Sequence, residues 1–555
     1  MACGSRDRGL EERVATIACS ARDAGERRSA RTRRSCRLAE AVLLGAFLAA
    51  CAPAEEPPAE LRPAAPVRNV VWIIVDDLGW RDIGAAGSTF YETPNIDRLA
   101  AQGAYFTQFD TASPVCSPTR ASFMTGKHPA RVNITNWIGG EQSGMLLQAD
   151  YLRQLPLEEV TPGEAFKEAG HVTAYMGKWH LGDGDFLPDA QGFDVTVAVN
   201  GAGQPATYFY PYHRDEPSVW DVPDLQDGEE GEYLTDRLTD EAVRFLRAHA
   251  EQPFFLVLSH YAVHTPLQSK QGLAAKYRKK ADALPPVPTP FVSESGRATS
   301  KQRQDHAVYA GMVESTDDSV GRILDALDEL GIADDTAVVF VSDNGGLSTL
   351  PAGRTSMPTA NVPLRAGKGW LYEGGLRAPL IVKWPGVTDG SAGGGASAPA
   401  APSAGGPAAA LRGRHARSRS IDVPVTSMDL YPTLLDIAGL ESQPDQHVDG
   451  LSLAPLLRGA ATLPRDTLFW HFPHYHGSAN RPSGAVRVGD HKLVEWFEEG
   501  RLELYDLATD PGEAYDLARS EPEQAARLRE ILGNWRVAVD AQMPTPNPDH
   551  GARQR

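Results

Sequence analysis

The chain has 555 residues, 42% of them hydrophobic, enough to bury a sizeable core; at about 150 residues per domain the length allows three to four domains, or one large α/β core. Its 54 basic and 72 acidic residues leave a formal charge of −18, which argues against nucleic acid as a partner, because a phosphate-backbone binder needs a basic face to displace counterions. No apolar run reaches the roughly 18 residues of a membrane-spanning helix, so a polytopic membrane protein is excluded as well.

Residues 1–37 carry ten arginines and are followed by an apolar run from Ala41 to Ala50, the order of regions in an export signal. The run is too short to span a bilayer and ends Leu48-Ala49-Ala50-Cys51, which resembles the lipobox of bacterial lipoproteins. Lipidation of Cys51 and ordinary signal cleavage are the two readings. A lipoprotein signal over 1–50 implies an exported chain facing the periplasm or cell surface, touching the membrane only through its N-terminal lipid. Without residues 1–50, which hold ten arginines and six acidic residues, the remainder carries −22. Residues 51–66 are Pro-rich and acidic with no apolar period and read as a tether, so the fold is expected to begin near Val67. Cys3, Cys19, Cys36 and Cys51 all lie in the first 51 residues, so no disulfide framework is expected in the body. Cys116 is left as a lone thiol, either a buried apolar filler or a chemical centre.

Asn69 to Asp77 (NVVWIIVDD) is a continuous apolar run ending in acids, the pattern of a buried parallel strand meeting a loop. Pro253 to Pro266 and Thr336 to Gly346 have the same form, ending in His264 and in Asp343 with Asn344. Between them Val308, Met312, Val313, Val320, Ile323, Leu324, Leu327 and Leu330 recur at helical spacing, with Gly331 as a stop. Strands alternating with helices predict an α/β sheet covered on both faces, with ligands beyond the carboxyl ends of its strands. Residues 388–420 are low in complexity and read as a disordered surface insertion. Order is expected to resume at Ile421, with a helix over Met428 to Ala438. After about residue 461 alternating segments predict an antiparallel hairpin followed by a helix over roughly 521–540. The expected organisation is therefore a catalytic domain over 67–460 and a smaller C-terminal α+β subdomain over 461–545, without internal repeats.

The lone thiol sits in Pro114-Val115-Cys116-Ser117-Pro118-Thr119-Arg120. Pro118 has its φ preset for a first helical turn, which puts Cys116 just ahead of a helix N-terminus, where backbone N–H groups favour anions. Arg120, four residues on, falls on nearly the same face. CSPTR followed by a helix and Thr125-Gly126 resembles the Cys-x-Pro-x-Arg signature of the type I, formylglycine-dependent sulfatases, and the resemblance spans about 67–520. It implies an alkaline-phosphatase-like fold: a large mixed sheet sandwiched by helices, with a smaller C-terminal α+β subdomain. It also implies that a formylglycine-generating enzyme oxidises Cys116 to formylglycine, whose hydrate is the nucleophile.

Asp76 and Asp77 match the family's opening acidic pair, and Asp343 with Asn344 match its later pair. Together with the group at Cys116 they imply an all-oxygen cage suited to one Ca²⁺, although either motif alone reads equally as a loop cap. Gly177-Lys178-Trp179-His180-Leu181-Gly182 resembles the second signature, in which Lys178 binds sulfate and His180 holds the hydrated aldehyde. His171 and Met176 beside it depart from the usual pattern, which puts local packing in question. His264 matches the leaving-group histidine and Lys368 the lysine that completes the sulfate clamp; the family's further Ser or Asn has its nearest match in Asn200. The implied reaction transfers a sulfuryl group to one hydroxyl of the hydrate, with His264 protonating the departing oxygen and His180 accepting a proton as sulfate is released. The expected substrate is a sulfated carbohydrate or another sulfate ester. Candidate substrate contacts are Asn136, Trp137, His471, His474, Tyr475, His476 and Arg481, which read equally as an interdomain packing seam. The rival functions are a phosphonate or phosphate ester hydrolase of the same superfamily and a catalytically inactive glycan-binding lipoprotein.

Overall fold

The structure is a computed structural model describing residues 65–214, 218–388 and 419–550. The export signal, Cys51, the tether as far as residue 64 and the insertion between 389 and 418 lie outside the described residues. Among those described, no helix is long and apolar enough to cross a membrane.

Eight strands form the main sheet: β1 (Asn69–Val75), β2 (Ala104–Phe106), β3 (Val172–Gly177), β4 (Val195–Val197), β5 (Phe254–Ser259), β6 (Thr336–Ser342), β7 (Leu380–Lys383) and β8 (Arg419–Ile421). Their order is β8-β2-β7-β6-β1-β5-β3-β4. Only β7 runs against the others, so the sheet is mixed with a parallel centre. Strand β8 corrects the expected end of the insertion: Arg419 and Ser420 pair with Ala104 and Tyr105 at the sheet edge.

The unbroken apolar run of β1 follows from burial on both faces. Val71, Ile73 and Val75 join one core with helices Leu234–His249 and Ala307–Glu329, while Val70, Trp72 and Ile74 join the opposite core with helices Cys116–Thr125 and Leu430–Ala438. Alternate side chains of one strand thus close both layers of the sandwich.

A second sheet, antiparallel and in chain order, contains β9 (Thr467–Phe472), β10 (Ser483–Val488), β11 (His491–Trp496) and β12 (Arg501–Asp506). Val486, Leu493 and Leu504 pack on Leu528 and Leu532 of the helix Pro522–Ala538. The other face, with Trp470, Val494 and Tyr505, packs on Trp370, Tyr372 and Leu376. This small sheet therefore backs the segment that carries Lys368.

Candidate functional site

Strand register brings the motifs to one edge. Val75 pairs with Ser342, Ile74 with Ser259 and Gly177 with Ser259, so the residues after β1, β6, β3 and β5 emerge side by side. Oxygen atoms of Asp76, Asp77 and Asp343 lie within 4.8 Å of one another, all three residues buried. Asn344 Nδ2 donates to Asp77 Oδ1 at 2.8 Å.

Three cations meet these three carboxylates. Lys178 Nζ pairs with Asp76 Oδ2; Lys368 Nζ lies 2.6 Å from Asp77 Oδ1, and Arg120 Nε 2.8 Å from Asp343 Oδ2. The cations are themselves buried, so the pairing is what keeps the charges tolerable away from water. Burial and the neighbouring Asp343 push Asp76 well above the usual carboxylate range. Against the same burial, Lys368 and His264 hold Asp77 below it, and Arg120 with Lys178 does so for Asp343.

Some polar atoms at the site lack partners. Asp76 Oδ1 and Asn344 Oδ1 are buried oxygens without a hydrogen bond, and Arg120 Nη2 is a buried donor without one. Unpaired buried oxygens among carboxylates fit a hard cation such as Ca²⁺, and an unpaired guanidinium nitrogen fits an anion beside it.

Cys116 is the first residue of the helix Cys116–Thr125, so its side chain sits at the positive end of the helix dipole rather than ahead of it. It is a buried free cysteine. His180 Nδ1 is 3.3 Å from Sγ, and His180 Nε2 lies 3.1 Å from the Ile138 carbonyl. A carbonyl only accepts, so Nε2 carries the proton and Nδ1 presents a lone pair to position 116. Burial, then Lys178, push His180 well below the ordinary histidine value, keeping the ring neutral. The turn that delivers Lys178 and His180 is tightly held: the Lys178 carbonyl accepts from Arg120 Nη1, Ser259 Oγ and Tyr175 OH, each at 2.7 Å. Gly177 has φ 96°, and a Cβ there would lie 2.0 Å from the Ser259 oxygen, so only glycine fits. His264 Nε2 is 3.7 Å from Asp77 Oδ2; burial and Lys368 push this ring down to about 3.

A cavity of about 600 Å³ opens from these groups, lined by Cys116, His180, His264 and Lys368 at one end and by Trp137, Arg153, Asp183, Trp220 and His476 elsewhere. Five of the expected substrate contacts, Asn136, His471, His474, Tyr475 and Arg481, are not among its lining residues. Asn136 is buried, bonding to Gly140 O and the Trp137 N–H; His471 reaches the Gln542 carbonyl at 2.9 Å; His474 bonds Thr135 Oγ1 at 2.8 Å. Arg481 pairs with Glu498 and Glu499. Tyr475 bonds Glu498 and the Leu146 N–H, so these side chains are engaged by protein groups, although Nδ1 of His471 and of His474 is buried without a partner. Asn200 shapes its own loop through Asp221 O and the Ala202 N–H. His171 packs edge-on against Phe166 at 5.0 Å and Met176 is buried, which answers the packing question at both. Sequence reasoning missed Arg153, Asp183 and Trp220, which sit in aperiodic segments, and Ser259, which the polar end of β5 could have signalled.

The sulfatase family model matches residues 68–440, and the model of the N-sulphoglucosamine sulphohydrolase C-terminal region matches residues 410–535. A sulfatase from Formosa agariphila is 31% identical over 85% of this chain and 89% of its own length. Human arylsulfatase A is 30% identical over 83% of this chain and 86% of its own. The solved structure of Ps i-CgsB in complex with k-i-k-neocarrahexaose is similar with a TM-score of 0.65 at 26% identity, covering 88% of this chain and 96% of that one. The family match takes in every strand end of the site just described, and the chain belongs to the sulfatase family and is a sulfuric ester hydrolase.

Proposed function

We propose that this enzyme hydrolyses sulfate esters of carbohydrate, using formylglycine made from Cys116 and one Ca²⁺. The observation that carries the reading is the meeting of Arg120, Lys178 and Lys368 with three carboxylates around Cys116, at a helix N-terminus and with Arg120 Nη2 unpartnered. The carbohydrate is supported by the neocarrahexaose complex of the structural neighbour.

Once installed, formylglycine supplies a nucleophilic hydroxyl and Ca²⁺ supplies positive charge beside the sulfate oxygens. Asp76, Asp77, Asp343 and Asn344 are the residues that would hold the cation. Arg120, Lys178 and Lys368 bind and orient the sulfate and stabilise charge on its oxygens, where removing one donor costs about 3–4 kcal/mol of barrier. His180 Nδ1 accepts a proton from position 116, its orientation fixed by the Ile138 carbonyl. His264 Nδ1 lies 3.0 Å from the Thr265 carbonyl and donates to it, so Nε2 carries a proton only when the ring is charged. The negative charge of a bound sulfate ester favours that charged form and lets His264 protonate the leaving oxygen.

The chain is read as exported and lipidated at Cys51, with Cys116 matured by a formylglycine-generating enzyme; the apolar run ending in Cys51 supports the first and CSPTR the second. The test is the mass of the tryptic peptide Leu99 to Arg120 from protein made with and without that enzyme. Conversion of the cysteine to the aldehyde, accompanied by sulfate release from sulfated glycans, is the expected result. An unmodified thiol in protein that still turns over would overturn the formylglycine mechanism.

A further inference from the structure

The cavity outside the sulfate clamp is mostly apolar. Trp137, Ile138, Val219 and Trp220 line it, along with Gly and Ala residues between 201 and 203. Trp137 is held in place before any ligand arrives. Its indole lies on the turn Gly139-Gly140, where a Cβ at Gly140 would come within 2.9 Å of the ring and one at Gly139 within 3.2 Å. Its backbone N–H donates to Asn136 Oδ1 at 3.0 Å, and its carbonyl accepts from Gly140 N at 2.9 Å. Trp220 is anchored likewise, its carbonyl accepting from Ala206 N at 2.7 Å and its N–H donating to Ser218 Oγ at 3.2 Å. The indole of Trp137, held on its turn, and that of Trp220, exposed on an anchored backbone, offer faces to the C–H face of a sugar ring.

The charges at that end point the same way. Arg153 is the cation of the wall beyond the clamp, and it is already engaged: its Nη2 is 2.7 Å from Glu141 Oε1, and its guanidinium lies 5.1 Å from the Tyr151 ring centroid. Asp183 is an exposed carboxylate of the same wall, accepting from Gly184 N at 2.9 Å and pairing with no cation among the described residues. Arg153 beside Glu141, together with Asp183, leaves this end of the wall with a net negative charge, which a second sulfate or a carboxylate on the ring would meet.

We infer that the enzyme selects sulfate esters whose sugar ring is uncharged apart from the scissile sulfate, the ring docking on Trp137 and Trp220 while Asp183 disfavours a second anion. The inference rests on the sulfatase reading above. It combines an attractive element, the indole faces, with a repulsive one, the acid. A polyanionic chain carrying charge on the ring that is cut would be a poor substrate.

The test compares two galactosides, one with a single sulfate and one with a second sulfate on the same ring, at fixed ionic strength with the mature enzyme. The expected result is at least a tenfold higher kcat/KM for the monosulfated ring. Trp137→Ala and Trp220→Ala should each raise KM for it at least fivefold with a smaller change in kcat, and Asp183→Lys should narrow the preference at least threefold. Equal or faster turnover of the disulfated ring, or an unchanged KM in both tryptophan variants, would overturn the inference. Tryptophan-fluorescence titration of Cys116→Ser protein with the same two sugars reads the preference as a ratio of Kd values without turnover. Failure of the sulfatase reading, seen as no sulfate released from either ester, is thereby separated from failure of the ring preference, seen as a Kd ratio of one or below.

Discussion

His180 Nδ1 faces Cys116 Sγ across 3.3 Å, and the ring is committed to that direction because Nε2 donates to the Ile138 carbonyl. Ile138 is itself pinned, its N–H donating to Ser117 Oγ at 3.0 Å. The helix that begins at Cys116 therefore sets both position 116 and, through one backbone link, the tautomer of the histidine that faces it. His180→Ala is expected to lower kcat by roughly 10²- to 10⁴-fold, the span of a general base. The peptide mass at position 116 and the far-UV circular dichroism should stay as in the parent. Activity within a few-fold of the parent would remove His180 from proton transfer.

Gly203 supports the same ring from the other side. A Cβ there would stand 2.4 Å from His180 Cε1, too close for any relaxed contact. Gly203→Ala is expected to displace the imidazole and cut kcat at least tenfold, with Tm close to the parent because 201–204 is a loop at the cavity wall. Unchanged kcat would mean that the ring shifts without cost.

The strand-end motifs were legible because a parallel strand buried on both faces must be apolar at every position, so Asp76, Asp77, Asp343 and Asn344 stand out where the run stops. The C-terminal histidines were not, because nothing in their spacing tells which face of a four-stranded sheet they share with the cavity. His471 ends up against Phe497 and Gln542, while His476, five residues on, lines the cavity. Trp220 and Arg153 come from irregular segments without any period, and tertiary placement alone brings them to the site. The last strand of the sheet, Arg419–Ile421, was hidden by the low-complexity segment before it.

A cation should bind the folded chain at the carboxylate cluster and stabilise it. Binding to the native state alone raises stability by about 2.7 kcal/mol at a hundredfold excess over Kd. Titration of chelator-treated enzyme with Ca²⁺ is expected to raise Tm, and Mg²⁺ to do so less, since Mg²⁺ demands shorter, strictly octahedral contacts. Asp76→Asn removes one of the three carboxylates and should abolish most of the Ca²⁺-dependent rise. A rise of the same size in that variant would locate the cation elsewhere.

The C-terminal sheet reaches the catalytic segment through a buried charge cluster. Lys492 on β11 lies 2.8 Å from Glu373 Oε1 and 2.9 Å from Glu513 Oε1, all three residues almost fully buried. Glu373 also pairs with Arg377, whose Nε is 2.7 Å from Asp110 Oδ1, and it follows Lys368 in the same segment. Lys492→Met leaves two buried carboxylates short of a cation and is expected to cost about 3–5 kcal/mol of stability. The pH dependence has a definite sign. Burial raises Glu513 to about 7 from 4.5; Lys492 pulls it down and Glu373 adds repulsion. The folded state thus binds this proton more tightly than the unfolded chain does. Its contribution to stability is complete below pH 4.5 and is lost as pH rises through about 7. Relative to Glu513→Gln, the parent should therefore lose Tm between about pH 5 and pH 8, while buried neutral histidines such as His180 and His264 contribute the same opposite trend to both proteins. Equal slopes in differential scanning fluorimetry of the two proteins would assign the pH dependence to other groups.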